Sequence, residues 1–168
     1  MFAALKSALH SATTQHYRLL RKTYSAEELY GYSLYTDDSL CSIGPVANTS
    51  SQIAAAATDP MYNYYRYGPH EWSLWADHGL FDEANDILKA IHADQSLDFD
   101  SKRDGMLKAA FVALTEAEAE GLFGPRTPTR FLALWLSDSA DPIMVEAAKA
   151  LNSHDVFSAF CSEYANKN

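Results

Sequence analysis

Apolar residues recur along the chain with two different periods, and the changes between them mark its elements. Phe2, Leu5, Leu9, Ala12, His16 and Leu19 fall at three- and four-residue steps, the stripe of an amphipathic helix running to about Thr23. Leu29 to Asn48 changes to strand-type alternation. Tyr30, Tyr32 and Leu34 fall on one face and Leu29, Gly31, Ser33 and Tyr35 on the other, with Thr36, Asp37, Asp38 and Ser39 as the polar reversal and Leu40 to Ile43 opening the return strand. Residues 29–48 therefore predict a β-hairpin. Pro45 has no N–H to give to a ladder, so the second strand belongs at a sheet edge, bent away at Gly44 and Pro45.

The pattern then predicts a short alanine-rich helix over Gln52 to Ala57, ended by Asp59 and Pro60, and a third, tyrosine-dense strand over residues 61–67. Gly68 and Pro69 open a further helix on which Trp72 and Trp75, three apart, share a face. Leu80, Phe81, Ala84, Ile87, Leu88 and Ile91 form a second helical stripe, with Asp82, Glu83 and Asp86 on its outer side. The longest helix runs from about Phe99 to Leu122, where Gly121, Gly124, Pro125 and Pro128 stop it. Residues 131–137 are a continuous apolar run, expected as a strand buried on both faces in the middle of the sheet. Two helices close the chain, one from about Asp141 and one after Ser153. Strands and helices are segregated, which predicts an α+β fold in a single domain over residues 1–168. Its small, mainly antiparallel sheet has about four strands (hairpin 29–48, strands 61–67 and 131–137) packed with about six helices.

A chain of 168 residues can bury a core that needs no disulfide or metal, and 48% hydrophobic with 21% charged residues are ordinary globular values. The net charge of −9 argues against a nucleic-acid or anionic-membrane partner. That charge is uneven. Lys6, Arg18, Arg21 and Lys22 have no carboxylate among them in residues 1–26, whereas residues 71–104 set nine carboxylates against Lys89, Lys102 and Arg103. The basic residues complement the C-terminal end of the first helix. Asp82, Glu83, Asp86, Asp94, Asp98 and Asp100 should face water, either as a plain solvated surface or as a face drawn to a basic partner. No apolar run approaches the length of a spanning helix, and Lys6, Ser7, His10 and Ser11 spoil a secretory signal, so a cytoplasmic protein is expected. Cys41 and Cys161 have neither metal-site nor redox-pair spacing and are expected as buried thiols.

The chemistry is sparse. Histidines at 10, 16, 70, 78, 92 and 154 include no i, i+4 pair, and there is no phosphate loop or nucleophile elbow, so no metal, no cofactor and no catalytic residue is expected. Asp37 with Asp38, and Asp138 with Asp141, are carboxylate pairs of the kind that act as acid and base or take up a cation, though turns and caps use the same residues. If strands 30–35 and 131–137 are parallel neighbours, Tyr35, Asp37, Asp38, Trp135 and Asp138 gather at their ends and Trp72 closes a small-ligand cleft.

The segments LYGYSLYTDDSLCSIGPVANT, YRYGPHEW and FLALWLSDS, with a closing ALN, resemble the bacterial domain of unknown function 4303 family from the first helix to about Asn152. The pattern residues are Tyr35, Asp37, Asn48, Glu71, Trp72 and Asp138. The resemblance implies no catalytic role for them. It implies relatives at contact-dependent and polymorphic toxin loci, where small acidic proteins act as cytosolic immunity factors. Three functions stand as expectations: a non-enzymatic immunity protein that binds a cognate toxin, a small-molecule or nucleotide-binding module built on the aromatic/Asp cleft, with or without an enzymatic activity of its own, or an oligomerising scaffold with an exposed tyrosine face.

Overall fold

The computed structural model describes residues 1–25 and 28–165. In chain order the elements are α1 (Phe2–Leu20), β1 (Leu29–Thr36), β2 (Ile43–Thr49), α2 (Tyr62–Tyr67), α3 (Asp82–Ala93), α4 (Phe99–Ala119), β3 (Phe131–Leu136), α5 (Pro142–Leu151) and α6 (His154–Tyr164). Single turns of 3-10 helix lie at Ser50–Gln52 and Pro69–Glu71. The fold is α+β, with six α-helices and three strands among the described residues.

The sheet order is β2-β1-β3, with β1 antiparallel to β2 and parallel to β3, so the sheet is mixed and has three strands rather than about four. The strand expected over residues 61–67 is the helix α2. Its aromatic content favours a strand locally, but Arg66 decides the matter: the helix sets it one turn from Tyr62, whose hydroxyl accepts from Arg66 Nη1 at 3.0 Å, and places the guanidinium 4.7 Å from the Tyr30 ring centroid. β3 is buried along its length but lies at an edge, and β1 is the central strand. β2 occupies the other edge, as Pro45 requires, yet it is not bent away at that residue; Pro45 stays in register opposite Leu34 and the strand continues to Thr49.

Both edges are closed by an asparagine amide. Leu132 N–H donates to Asn152 Oδ1 and Asn152 Nδ2 donates to Leu132 O, each at 2.8 Å. On the far side Ile43 N–H donates to Asn85 Oδ1 at 2.8 Å and Asn85 Nδ2 donates to Ile43 O at 3.1 Å. Further along β2, Leu74 and Ala47 exchange two backbone bonds of 2.9 and 3.1 Å. Backbone groups that would recruit another strand are thereby used internally.

The two sheet faces are covered differently. Tyr32 meets α1 through the rings of His16 and Tyr17, at 5.7 and 5.5 Å. On the opposite face the Trp72 indole lies on Gly31, where an added Cβ would come within 2.8 Å of the ring, so only glycine fits there. Phe131 stands edge-on to Trp72 at 6.0 Å and joins Phe160 of α6 and Tyr67 of α2.

Four local expectations are corrected. The alanine run has no α-helix: Thr49 Oγ1 donates to Gln52 Oε1, the segment makes a single 3-10 turn at Ser50–Gln52, and a few alanines before Pro60 cannot nucleate more. The helix expected from Pro69 is one 3-10 turn, after which the chain extends so that Leu74 can pair with Ala47. Trp72 and Trp75 therefore do not share a helix face; Trp72 is buried and Trp75 exposed. Cys41 is exposed and Cys161 half-buried, so the thiols are not both core residues. The return strand begins only at Ile43, and the preceding Leu40 takes a positive φ of 51° to bury its side chain, leaving Cys41 outside.

His16 is enclosed in this core at 1% exposure. Its Nε2 donates to Ala76 O at 3.0 Å, because a carbonyl only accepts, and Nδ1 then accepts from Tyr32 OH at 3.1 Å. Burial pushes the imidazole below its ordinary value of about 6.5.

Two outcomes follow from this architecture. Asn152→Ala strips β3 of its edge partner and leaves Leu132 N–H buried without an acceptor, which should cost about 2–3 kcal/mol in urea unfolding; a loss below about 0.5 kcal/mol would mean the amide does not seal that edge. For His16, the unfolded chain takes up a proton at a pH where the folded protein does not, so its contribution is complete above about pH 6.5 and is lost as the pH falls below that. Denaturant midpoints should drop between about pH 7 and about pH 5, and less steeply in His16→Gln; identical profiles in the two proteins would remove His16 as the cause.

Candidate functional site

Parallel pairing of β1 with β3 puts Tyr35 directly opposite Trp135 and brings the loops beyond the two strands together. Asp38 N–H donates to Asp138 Oδ1 at 2.8 Å, and Ser137 Oγ donates to the same oxygen at 3.2 Å. The expected gathering of Tyr35, Asp37, Asp38, Trp135 and Asp138 at the strand ends is therefore present. Trp72 is not part of it. It sits on Gly31, four strand residues and roughly 13 Å from Tyr35, with Nε1 donating to Arg66 O at 3.3 Å. Trp75 takes its place, its ring 4.9 Å from that of Tyr35.

The gathered residues do not line one cleft. Tyr35 and Trp75 border a depression of about 210 Å³ on the β2 side, shared with Pro45 and Asp77. Trp135 belongs instead to a groove of about 560 Å³ on the β3 side, walled by Met144 and Val145 of α5 and by Phe160 and Tyr164 of α6. Behind the groove the Trp135 ring is stacked on His70 at 5.4 Å and meets the edge of Tyr164 at 5.1 Å. His70 Nε2 donates to Tyr64 OH at 3.0 Å, and Tyr64 OH donates to Glu71 Oε1 at 2.9 Å. Burial pushes His70 below its ordinary pKa.

The aspartates hold a turn, a helix end and the loops beyond the strands. Asp37 Oδ1 accepts from Cys41 N–H at 3.1 Å and closes the hairpin turn. Arg103, reaching across from α4, bonds Asp38 at 2.6 Å and Asp141 at 2.7 Å, and its Nε donates to Asp38 O at 3.1 Å. That hydrogen bond from Arg103 holds the Asp38 carboxyl below the usual carboxylate range. Asp141 also caps α5 by accepting from Ile143 N–H at 2.8 Å. Among the described residues no three His, Cys, Asp or Glu side chains are grouped to hold a metal ion.

The acidic residues divide into two sets. Asp82, Glu83 and Asp86 lie exposed in the first turns of α3, with Asp86 paired to Lys89 at 2.8 Å. Asp94, Asp98 and Asp100 lie at the turn beyond its other end, about 18 Å away along the helix. Asp94 accepts from Ser96 N–H at 2.8 Å, and Asp98 caps α4 through Ser101 N–H at 2.8 Å and Ser101 Oγ at 2.9 Å. Between Asp98 and Asp100 the Phe99 ring stands 52% exposed.

Pattern reading found the strand-end residues but missed Arg103, which counts in the sequence only as a charge, and the His70–Tyr64–Glu71 chain. The signal for the latter was present in YRYGPHEW: a 3-10 turn at Pro69 folds Glu71 back under Tyr64. Asn48, another pattern residue, is buried and donates to Tyr30 OH at 3.2 Å. No helix of the described residues is long and apolar enough to cross a membrane.

Neither a curated protein nor a solved structure matches the chain. One family model does, and it spans both strands of the hairpin, β3 and the Arg103 clamp. Matched over residues 9–153, the chain belongs to the DUF4303 family, a domain of unknown function.

Proposed function

We propose that this is a non-enzymatic binding protein that takes a basic protein partner on the surface of α3 and the start of α4, the partner being a cognate toxin in the form the family resemblance suggests. The observation that carries the reading is Phe99, a large ring 52% exposed and flanked in sequence by Asp98 and Asp100. A solvated acidic surface has no need of an exposed aromatic, whereas an aromatic anchor inside a charged rim is how binding surfaces divide their work: charge steers the encounter and the ring supplies affinity. The two acidic sets lie about 18 Å apart along α3, which fits within one partner footprint of about 800 Å², roughly 30 Å across. The strand-end aspartates support the non-enzymatic part, since turn, cap and Arg103 bonds engage them.

A second reading is favoured by one feature, the 560 Å³ groove beside Trp135, whose size and aromatic wall suit a small ligand.

The probe for the test is a basic protein partner, sought first among the products of the neighbouring genes. Phe99→Ala should speed dissociation about tenfold or more while changing stability by less than about 0.5 kcal/mol. Reversing Asp82, Glu83 and Asp86 to lysine should slow association and flatten its salt dependence. Asp94 and Asp98 are unsuitable for reversal because they cap a turn and a helix. Unaltered kinetics in both variants would move the contact off this surface, and binding of a groove ligand blocked at Trp135 would favour the second reading.

A further inference from the structure

At the opposite end of the sheet from Tyr35 and Trp135, the starts of β1 and β3 border a cavity of about 240 Å³ walled by Tyr17, Tyr30 and Phe123, with Thr127, Thr129 and Arg130 at its polar side. Arg130 is buried at 7% exposure. Its Nη1 donates to Gly124 O at 2.7 Å, and its Nη2 donates to Leu151 O at 2.8 Å and to Glu118 Oε1 at 3.0 Å. Its Nε–H is buried and has no hydrogen-bond partner among the described residues. A buried donor left unmade costs more than the bond would have returned, so such a group points to something that binds there.

A second buried guanidinium stands behind the same wall. Arg66, also 7% exposed, lies 4.7 Å over the Tyr30 ring and donates to Thr129 O at 2.8 Å. No carboxylate of the described residues lies within 4.0 Å of it, whereas Glu118 is shared between Arg126 at 2.8 Å and Arg130 at 3.0 Å. Two buried guanidinium groups, Arg66 and Arg130, therefore stand against one carboxylate, which the half-exposed Arg126 also engages, in a protein whose net charge is −9. Buried charge is ordinarily balanced, and the deficit here is negative charge. The rim adds a donor. Thr127 Oγ1 and Thr129 Oγ1 lie 3.0 Å apart, and Thr127 Oγ1 also accepts from Arg130 N–H at 3.2 Å. One of the two hydroxyl protons makes the bond between the threonines, and the other is left for a ligand.

We propose that this cavity binds a small molecule carrying an oxyanion on a flat apolar body. The oxyanion takes the Arg130 Nε–H and the remaining threonine proton, and the apolar body lies among Tyr17, Tyr30 and Phe123. The volume is below the usual range for drug-sized ligands and suits a single ring. This site is separate from the acidic surface of α3 and α4 and does not depend on it.

Nitrogen-15 NMR on the full chain reads the site directly, because a bound oxyanion moves the Arg130 Nε–H resonance. Phenyl phosphate and benzoate are titrated separately, with benzyl alcohol as the neutral control. At least one anion should shift Arg130 Nε–H and the Thr129 amide saturably, with phosphate or carboxylate preference read from the stronger arm, and benzyl alcohol should bind at least tenfold more weakly. Thr127→Val with Thr129→Val, two changes in a surface turn, should weaken the anion tenfold or more while the spectrum stays that of the folded protein. No shift with either anion, equal binding of benzyl alcohol, or unchanged affinity in the double variant would each overturn the proposal.

Discussion

The fold depends on one pairing, the parallel alignment of β1 with β3. Strands a hundred positions apart must meet in register, Gly31 to Phe131 through Thr36 to Leu136, before either sheet face exists to be covered. A parallel pair cannot be closed by a tight turn, and the long connection between these two strands carries β2, α2, α3 and α4. The register also decides what can stand at each end of the strands. Asp38 meets Asp138 only because Thr36 is level with Leu136, and Arg130 borders the same cavity as Tyr30 only because Phe131 is level with Gly31. Both ends of the sheet are thus set by the same alignment, although they have opposite charge character.

A three-stranded sheet leaves two of its three strands at an edge, and this protein answers at both with the same chemistry. An asparagine amide presents one acceptor and two donors in nearly the geometry of a peptide group, so Asn85 and Asn152 stand in for a fourth strand on either side. Asn152 does a further job, since its second amide proton goes to Ala148 O and terminates α5 against the sheet. The consequence for function is that strand addition at these positions is blocked. Any partner would then be met by helices and loops, which is where the exposed Phe99 and the exposed carboxylates of α3 are found.

What could be read from the sequence divides along the range of the interactions that decide each element. Stripes such as Leu80 to Ile91 and Leu107 to Leu114 specify helices locally, and Pro45 specifies an edge strand by lacking a donor, so these emerge from the residues alone. The cluster at the strand ends was legible only on the condition that the two strands are parallel neighbours, which the residues allow but do not select, and the sheet expected from them was mainly antiparallel. The segment 61–67 was not legible, since its rings favour a strand and its conformation is fixed by Arg66, whose partners Tyr30 and Thr129 lie far off in the chain. Trp72 and Trp75 misled for the same reason: spacing puts them on one face only if a helix exists, and pairing of Leu74 with Ala47 abolishes it. Arg103 shows nothing in the sequence, because its role is made entirely by Asp38 and Asp141, one on each side of the strand pairing.

Polar accounting then separates the residues that hold the molecule from those available to a ligand. Arg103 and Arg130 are the instructive pair. Arg103 lies between two carboxylates and a carbonyl, its charge and its fork matched by the protein itself, and at partial exposure such an arrangement fixes geometry more than it adds stability. Arg130 is more deeply buried, shares its one carboxylate with Arg126, and keeps an unused donor. Burial raises the cost of unmatched charge, so the deeper of the two arginines would be expected to be the better compensated, and it is the worse. The strand ends that look most like chemistry in the sequence, rich in Asp and Trp, are the ones whose aspartates are engaged by a turn, a cap or Arg103. The end that carries an unmet demand is marked in the sequence only by an arginine, two threonines and the tyrosines of β1 and α1.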